Sequence, residues 1–229
     1  MFPNFIDDPK LRGKSFVFRD RFHAGKLLAS RIEPMLGQEN LLFAIPSGGV
    51  PVAVVIAEKL KLPLELIIVR KIQIPWNREA GFGAVTLDGE VTINHSLVSR
   101  LGLTQEMIRE AVAETMKVIR DRAEKFLTGK PLPELKGKFV FIVDDGLASG
   151  YTMLIAVKTI KKRNPKKVIV AVPTASLDAV KLLSPKVDKV VCLNLRYGPY
   201  YAVADAYMRW YDVSDEEVTK LLRRVSDKE

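Results

Sequence analysis

Two adjacent carboxylates, Asp144 and Asp145, end the apolar run Phe139-Val140-Phe141-Ile142-Val143 and lead into Gly146, Leu147, Ala148, Ser149, Gly150, Tyr151 and Thr152. Small residues let several backbone N–H groups converge on an anion, and a helix starting just beyond adds the positive end of its dipole. Ser149 and Thr152 can add hydroxyl donors. Paired acids beside a phosphate would repel it unless they bind a polyhydroxylated group or a metal between them. The pattern therefore points to a sugar phosphate, with its diol at the acids and its phosphate at the loop. A plain strand-to-helix turn needs only one Asp as N-cap and does not account for the second acid or the run of small residues.

These residues must be held by buried elements, and the sequence supplies them. Leu41 to Ile45, Leu64 to Val69, Phe139 to Val143, Val168 to Val172 and Val190 to Leu195 are short, continuous apolar runs rich in β-branched residues. Such runs fit strands covered on both faces of a parallel sheet. Helical spacing fills the gaps at residues 20–36, Val50 to Leu60, Thr104 to Leu127, Tyr151 to Lys162 and Ser176 to Leu183. Strand and helix in alternation predict an α/β fold. The stretch Lys71 to Asn94 breaks the rhythm, and its Asp88-Gly89 between two alternating runs predicts a hairpin. A long insertion at the carboxyl end of a parallel strand lies where ligands bind, which makes it a candidate lid. A final helix is opened by the capping box Ser214-Asp215-Glu216-Glu217.

Composition narrows the classes. The chain has 229 residues, 36 Lys+Arg against 27 Asp+Glu, a net charge of +9, and a single cysteine, Cys192. One cysteine makes neither an internal disulfide nor a cysteine-based zinc site. The acidic start MFPNFIDDPK is unlike a signal peptide, and the chain has no apolar run long enough to span a membrane, so a cytoplasmic protein is expected. The excess positive charge suits an anionic partner. Its densest patch, Lys158 to Lys167, has six basic residues in ten without interleaved aromatics, and is expected to be a solvated helix end instead of a nucleic-acid surface.

The stretch from Phe139 to Thr152 resembles the motif that binds phosphoribosyl pyrophosphate (PRPP) in type I phosphoribosyltransferases: apolar residues, two acids, and a small-residue loop ending in Thr. Ile45-Pro46-Ser47-Gly48-Gly49-Val50, a strand running into a Gly-Gly turn and a helix, is similar to the family's pyrophosphate loop, and Arg70-Lys71 to the basic pair preceding its lid. The resemblance implies an open parallel sheet with helices on both faces, a hairpin lid over residues 72–95 and a small hood from residues 1–39 and 196–229, around a core of residues 40–195 in a single domain. It implies transfer of the 5-phosphoribosyl group of PRPP to a nitrogen of a nucleobase-like acceptor with release of pyrophosphate. Asp144 and Asp145 would bind the ribose hydroxyls, Gly146 to Thr152 the 5′-phosphate, and Ser47, Gly48 and Gly49 the pyrophosphate, with Arg70 and Lys71 neutralising it. Mg²⁺ is the expected cofactor, held mainly by substrate oxygens and water and not by a dedicated protein cage. A homodimer is expected, because dimers are common among similar folds.

The chain departs from the pattern in informative places. Position 47 is Ser, where similar loops often carry Arg or Lys. Ala148 stands where hypoxanthine and guanine enzymes usually have an Asp, whereas the segment from Ile72 to Asn94 lacks the lysines of orotate enzymes. Glu79, with Arg78 beside it, is the lid's candidate acid/base residue, and tail aromatics such as Tyr200, Tyr201, Tyr207, Trp210 and Tyr211 are candidates for stacking on an acceptor or for packing the hood. The alternative function is a non-catalytic PRPP-binding regulator that contacts nucleic acid. A nucleotide-hydrolysing P-loop is excluded because no GxxxxGK[ST] occurs, and Gly81-Phe82-Gly83 precedes a hairpin, not the helix a dinucleotide site requires.

Overall fold

A computed structural model describes residues 2–127, 132–198 and 201–226, apart from the side chains of Arg78, Glu79 and Ser226. In chain order the elements are β1 (Phe5–Asp7), α1 (Arg21–Ile32), β2 (Asn40–Ala44), α2 (Gly49–Leu60), β3 (Leu64–Leu66), β4 (Val69–Ile74), β5 (Asn77–Thr86) and β6 (Val91–Ile93). They continue with α3 (His95–Leu101), α4 (Gln105–Phe126), β7 (Phe139–Val143), α5 (Tyr151–Lys161), β8 (Lys167–Ser176), α6 (Leu177–Leu183), β9 (Lys189–Arg196) and α7 (Asp215–Ser226).

Six strands form one parallel sheet in the order β1-β9-β8-β7-β2-β3. Strand alternation sends neighbouring side chains to opposite faces, and both faces are buried. On β7, Phe141 and Val143 join an apolar cluster with α1, α2 and α7, while Val140 and Ile142 join a second cluster with α5 and α6. A fully buried Val, Ile or Phe contributes about 1.5–3 kcal/mol, so β7 is a rigid base for the acids at its end. The expected open parallel sheet with helices on both faces is the fold observed. Among the described residues no helix is long and apolar enough to cross a membrane.

The insertion after β3 is more built than a bare lid. Its strands β4, β5 and β6 form a separate antiparallel sheet, and the Asp88-Gly89 turn closes as the sequence predicts, with the Thr86 N–H donating to the Glu90 carbonyl at 3.0 Å. Ile72, Ile74, Phe82, Ala84 and Val85 are buried, so part of the segment packs into the core. The first turn, Pro75 to Asn77, projects outward with Trp76 60% exposed. The six basic residues of the run at 158–167 are all solvent-exposed, as expected of a helix end, and four of them make surface contacts. Lys162 pairs with Glu90 at 2.8 Å, Lys158 donates to Thr92 Oγ1 at 3.2 Å, and Lys166 and Lys167 lie over the Phe139 ring.

Three elements lie outside the sequence reading. The expected strand Leu64 to Val69 ends at Leu66, and Val69–Ile74 is a separate strand, β4, in the antiparallel sheet. Residues Phe5–Asp7 add a parallel edge strand to β9, so the N-terminal end is shared between sheet and hood. A short helix, α3, follows β6 and is capped by Asn94, whose side chain accepts from the Leu97 N–H.

Candidate active site

The chain reverses its direction of sheet growth between β2 and β7: β2 leads outward to β3, whereas β7 leads to β8 and β9 on the other side. In open α/β sheets the crevice at such a switch point, beyond the carboxyl ends of the strands, is where ligands bind. The two loops singled out in the sequence meet there. β2 runs into Ile45 to Gly48 and the start of α2, and β7 runs into Asp144 to Gly150 and the start of α5.

Contact between the loops is close enough to dictate residue type. A Cβ on Gly48 would lie 2.1 Å from Asp145 Oδ2, and one on Gly49 would lie 2.9 Å from the Val143 carbonyl. Any side chain at either position would push the loops apart. The peptide Pro46–Ser47 is cis. Gly49 spends its N–H on the Ile45 carbonyl at 3.1 Å, closing the turn, while the Ser47 and Gly48 N–H groups make no hydrogen bond among the described residues. Ser47 Oγ is buried and has no hydrogen-bond partner there. A buried hydroxyl is normally satisfied, so this one is suited to a bound ligand.

The second loop is pinned to β8 and open at its far end. Leu147 is buried, donates its N–H to the Thr174 carbonyl and accepts from the Ser176 N–H, both at 3.0 Å. The Ala148 carbonyl accepts from Ser176 Oγ at 2.6 Å. The N–H groups from Ala148 through Thr152 make no hydrogen bond among the described residues, and Gly150 enters α5 at a φ of 79° without a side-chain cap. The donors expected of this loop therefore come from Ala148, Ser149, Gly150, Tyr151 and Thr152. Leu147 serves to anchor it, and the Tyr151 side chain packs on the apolar cluster under α5. Gly146 lies tight against Val203 and Thr174.

The two acids have different surroundings. Asp145 is ion-paired with Arg21, whose Nε donates to Oδ2 at 2.8 Å, and the side chains are only 13% and 4% exposed. Arg21 also donates to the Tyr211 carbonyl at 2.8 Å and stacks on Trp210, 3.9 Å from the ring centroid. Burial raises the Asp145 pKa, and Arg21 opposes that rise. Asp144 accepts from the Asp145 N–H at 2.8 Å. Burial and the neighbouring Asp145 charge push its carboxyl well above the usual range. Such a carboxyl gains from any group that stabilises its charge.

Asp144 and Thr152 share a cleft of about 250 Å³ with Pro46, Arg70, Lys71 and Arg122. Arg70 and Lys71, both on β4, thus line the same cleft as Asp144. Arg70 is half-buried with no hydrogen bond or ion pair among the described residues, and burial together with the neighbouring Arg122 charge lowers its pKa. The Lys71 stem lies across Gly81, where a Cβ would come within 2.2 Å of Lys71 Cγ. The Glu79 side chain lies outside the described residues, as does Tyr200. Among the described residues no three His, Cys, Asp or Glu side chains converge as a metal cage.

Sequence reasoning missed Arg21 and Arg122, since neither lies in a motif and only the fold brings them to the site. The tail aromatics turn out to serve Arg21. Tyr207 is buried and donates to the Asp145 carbonyl at 2.6 Å, and Trp210 and Tyr211 flank the guanidinium. Tyr201 donates to Thr174 Oγ1 at 3.2 Å, and Thr174 itself is buried against Asn194.

Residues 21–195 match the phosphoribosyl transferase domain family. Two Mycobacterium tuberculosis proteins, named "Putative phosphoribosyl transferase MT0597" and "Putative phosphoribosyl transferase Rv0571c", are each 34% identical over 208 residues, covering 91% of this chain and 47% of theirs. The chain thus spans about half the length of these curated relatives. The crystal structure of TT1426 from Thermus thermophilus superposes with a TM-score of 0.72 at 35% identity, over 90% of this chain and 98% of that one. With the acid pair, the two loops and the basic strand gathered at one switch point, and with three-quarters of its length matched, the chain belongs to the phosphoribosyl transferase domain family.

Proposed function

We propose that the protein transfers the 5-phosphoribosyl group of PRPP to a nitrogen of a nucleobase-like acceptor, releasing pyrophosphate. The observation that carries this reading is a single cleft in which a carboxylate, Asp144, faces the cations Arg70 and Lys71 between two open helix starts. The 5′-phosphate is assigned to the N–H groups of Ala148 through Thr152, which make no hydrogen bond among the described residues, and to the hydroxyls of Ser149 and Thr152. The ribose hydroxyls are assigned to Asp144, with Asp145 supporting it from the Arg21 side. Pyrophosphate is assigned to the Ser47 and Gly48 N–H groups and to the unpartnered Ser47 hydroxyl, with Arg70 and Lys71 facing it.

In the transfer, the bond from ribose C1 to the pyrophosphate oxygen breaks and a bond from C1 to the acceptor nitrogen forms. Positive charge grows on the sugar ring, and an ionised Asp144 beside it stabilises that state. Negative charge grows on the leaving pyrophosphate, where Arg70 and Lys71 stabilise it. Mg²⁺ would rest on substrate oxygens and Asp144 and neutralise part of the same charge. The projecting turn at Trp76 is the part of the insertion suited to cover the cleft and exclude water, and Glu79 beside it is the candidate acid/base. Cytoplasmic residence and a homodimer belong to the same proposal, the dimer being open to sedimentation analysis.

The test is pyrophosphate release from PRPP and Mg²⁺ with a panel of purines, pyrimidines and small amines. Acceptor-dependent release that disappears in Asp144→Asn is the expected outcome. PRPP binding without release for any acceptor would favour a non-catalytic PRPP-binding regulator, and absence of PRPP binding would overturn both readings.

A further inference from the structure

The pyrophosphate loop carries Ser47 in place of a base, yet its cleft is not short of charge. Arg122, from the C-terminal half of α4, lines that cleft beside Arg70, Lys71, Asp144 and Thr152. Helix α4 belongs to neither anion loop, and it packs against β4, the strand that carries Arg70 and Lys71. Arg122 is itself only 26% exposed, and its nearest counter-ion is Asp215, 4.0 Å away at the start of α7. Asp215 is more closely engaged with Lys125, at 2.8 Å. Two partly buried guanidinium groups therefore line one cleft with Lys71, against Asp144 as the single cleft carboxylate among the described residues, while Asp215 is engaged by Lys125. Like charges in such a site are costly unless an anion joins them. Arginine presents a fork that matches phosphate oxygens in pairs.

We infer that Arg122 is the third cation of the pyrophosphate subsite and makes good the basic residue missing at position 47, with Asp215 positioning it from the terminal helix. The inference rests on the proposed PRPP site and adds a residue that neither loop motif contains. Helix α7 does not depend on Arg122 for its docking, because Lys125 holds Asp215 and Arg224 forms a two-pronged pair with Glu58 on α2. Removing the guanidinium should therefore leave the fold in place.

Titration calorimetry of the full chain with three ligands separates the possibilities: PRPP with Mg²⁺, inorganic pyrophosphate with Mg²⁺, and ribose 5-phosphate. Arg122→Ala is expected to weaken PRPP and pyrophosphate by about tenfold to a hundredfold, the range for a lost charge-assisted contact, and to leave ribose 5-phosphate unchanged. Arg122→Lys should recover part of the loss, since it restores the charge without the fork. Wild-type protein that binds PRPP, paired with an Arg122→Ala variant that binds it equally, overturns this inference alone. Equal weakening of ribose 5-phosphate also overturns it, because the effect is then not confined to the pyrophosphate end. Wild-type protein that binds no PRPP overturns the underlying site as well.

Discussion

Replacing Arg21 by Met tests the electrostatic account of the acid pair. The side chain is 4% exposed, pairs with Asp145 at 2.8 Å and stacks on Trp210, so Met fills much of the space while removing the charge. Breaking a buried pair from one side strands the other charge and costs about 3–5 kcal/mol. For a chain of this size each kcal/mol moves Tm by about 2–4 °C, which gives a drop of about 6–20 °C near neutral pH. The pH dependence is the sharper part. Burial already raises Asp145, and Arg21 opposes that rise, so in Arg21→Met the folded-state pKa climbs further above its unfolded value. A carboxyl shifted upward favours the folded state only at low pH, where both states hold the proton, and its penalty enters as pH rises through the unfolded value and is complete above the folded pKa. The Tm deficit should therefore be largest at pH 8 and shrink towards pH 5, measured by circular dichroism melting at each pH. Adding Asp145→Asn should recover most of the deficit at pH 8. A deficit that is the same at both pH values, or that survives in the double variant, would show that Arg21 acts by packing alone.

The other substitutions separate stability from binding. Asp144→Asn removes a carboxyl that burial and Asp145 push upward, so its Tm should hold or rise while PRPP affinity falls by about tenfold or more; a thermal shift and a PRPP titration read the two effects. In the wild type, PRPP·Mg²⁺ affinity should increase as pH rises through that elevated pKa, because the ligand favours the ionised acid, and an affinity that does not rise with pH would contradict it. Gly48→Ala places a methyl 2.1 Å from Asp145 Oδ2, and an overpacking cost of about 1–3 kcal/mol is expected together with loss of PRPP binding. Trimming only the turn at residues 75–80 should abolish turnover in a folded protein. Deleting 76–92 removes the buried Phe82, Ala84 and Val85 and should leave the chain insoluble.

How much of this is legible in the sequence follows from how local each signal is. The strand Phe139–Val143 is legible to the residue, because a strand buried on both faces must be a short continuous apolar run ended by the first polar residues. Asp88-Gly89 announces its hairpin because Gly89, at a φ of 83°, meets a backbone need expressed within four residues. Arg21 is illegible for the opposite reason. Its partner Asp145 is 124 residues away, and an arginine after an Asp N-cap looks like any helix start. The strand Phe5–Asp7 is only three residues long and is defined by its pairing with β9. The extent of the lid is hidden because alternating residues predict strands without telling what covers them, and α4 and α5 cover these.

The division of the core by the sheet bears on what a bound sugar phosphate would do mechanically. The loop assigned to pyrophosphate starts α2, which is embedded in one apolar cluster, and the loop assigned to the 5′-phosphate crowns α5, embedded in the other. One small molecule would then be gripped from opposite sides of the sheet at once, like a rivet through two plates. Its binding energy would act across a plane where the side chains of the two layers do not interdigitate, so breathing of either layer would become a shared event.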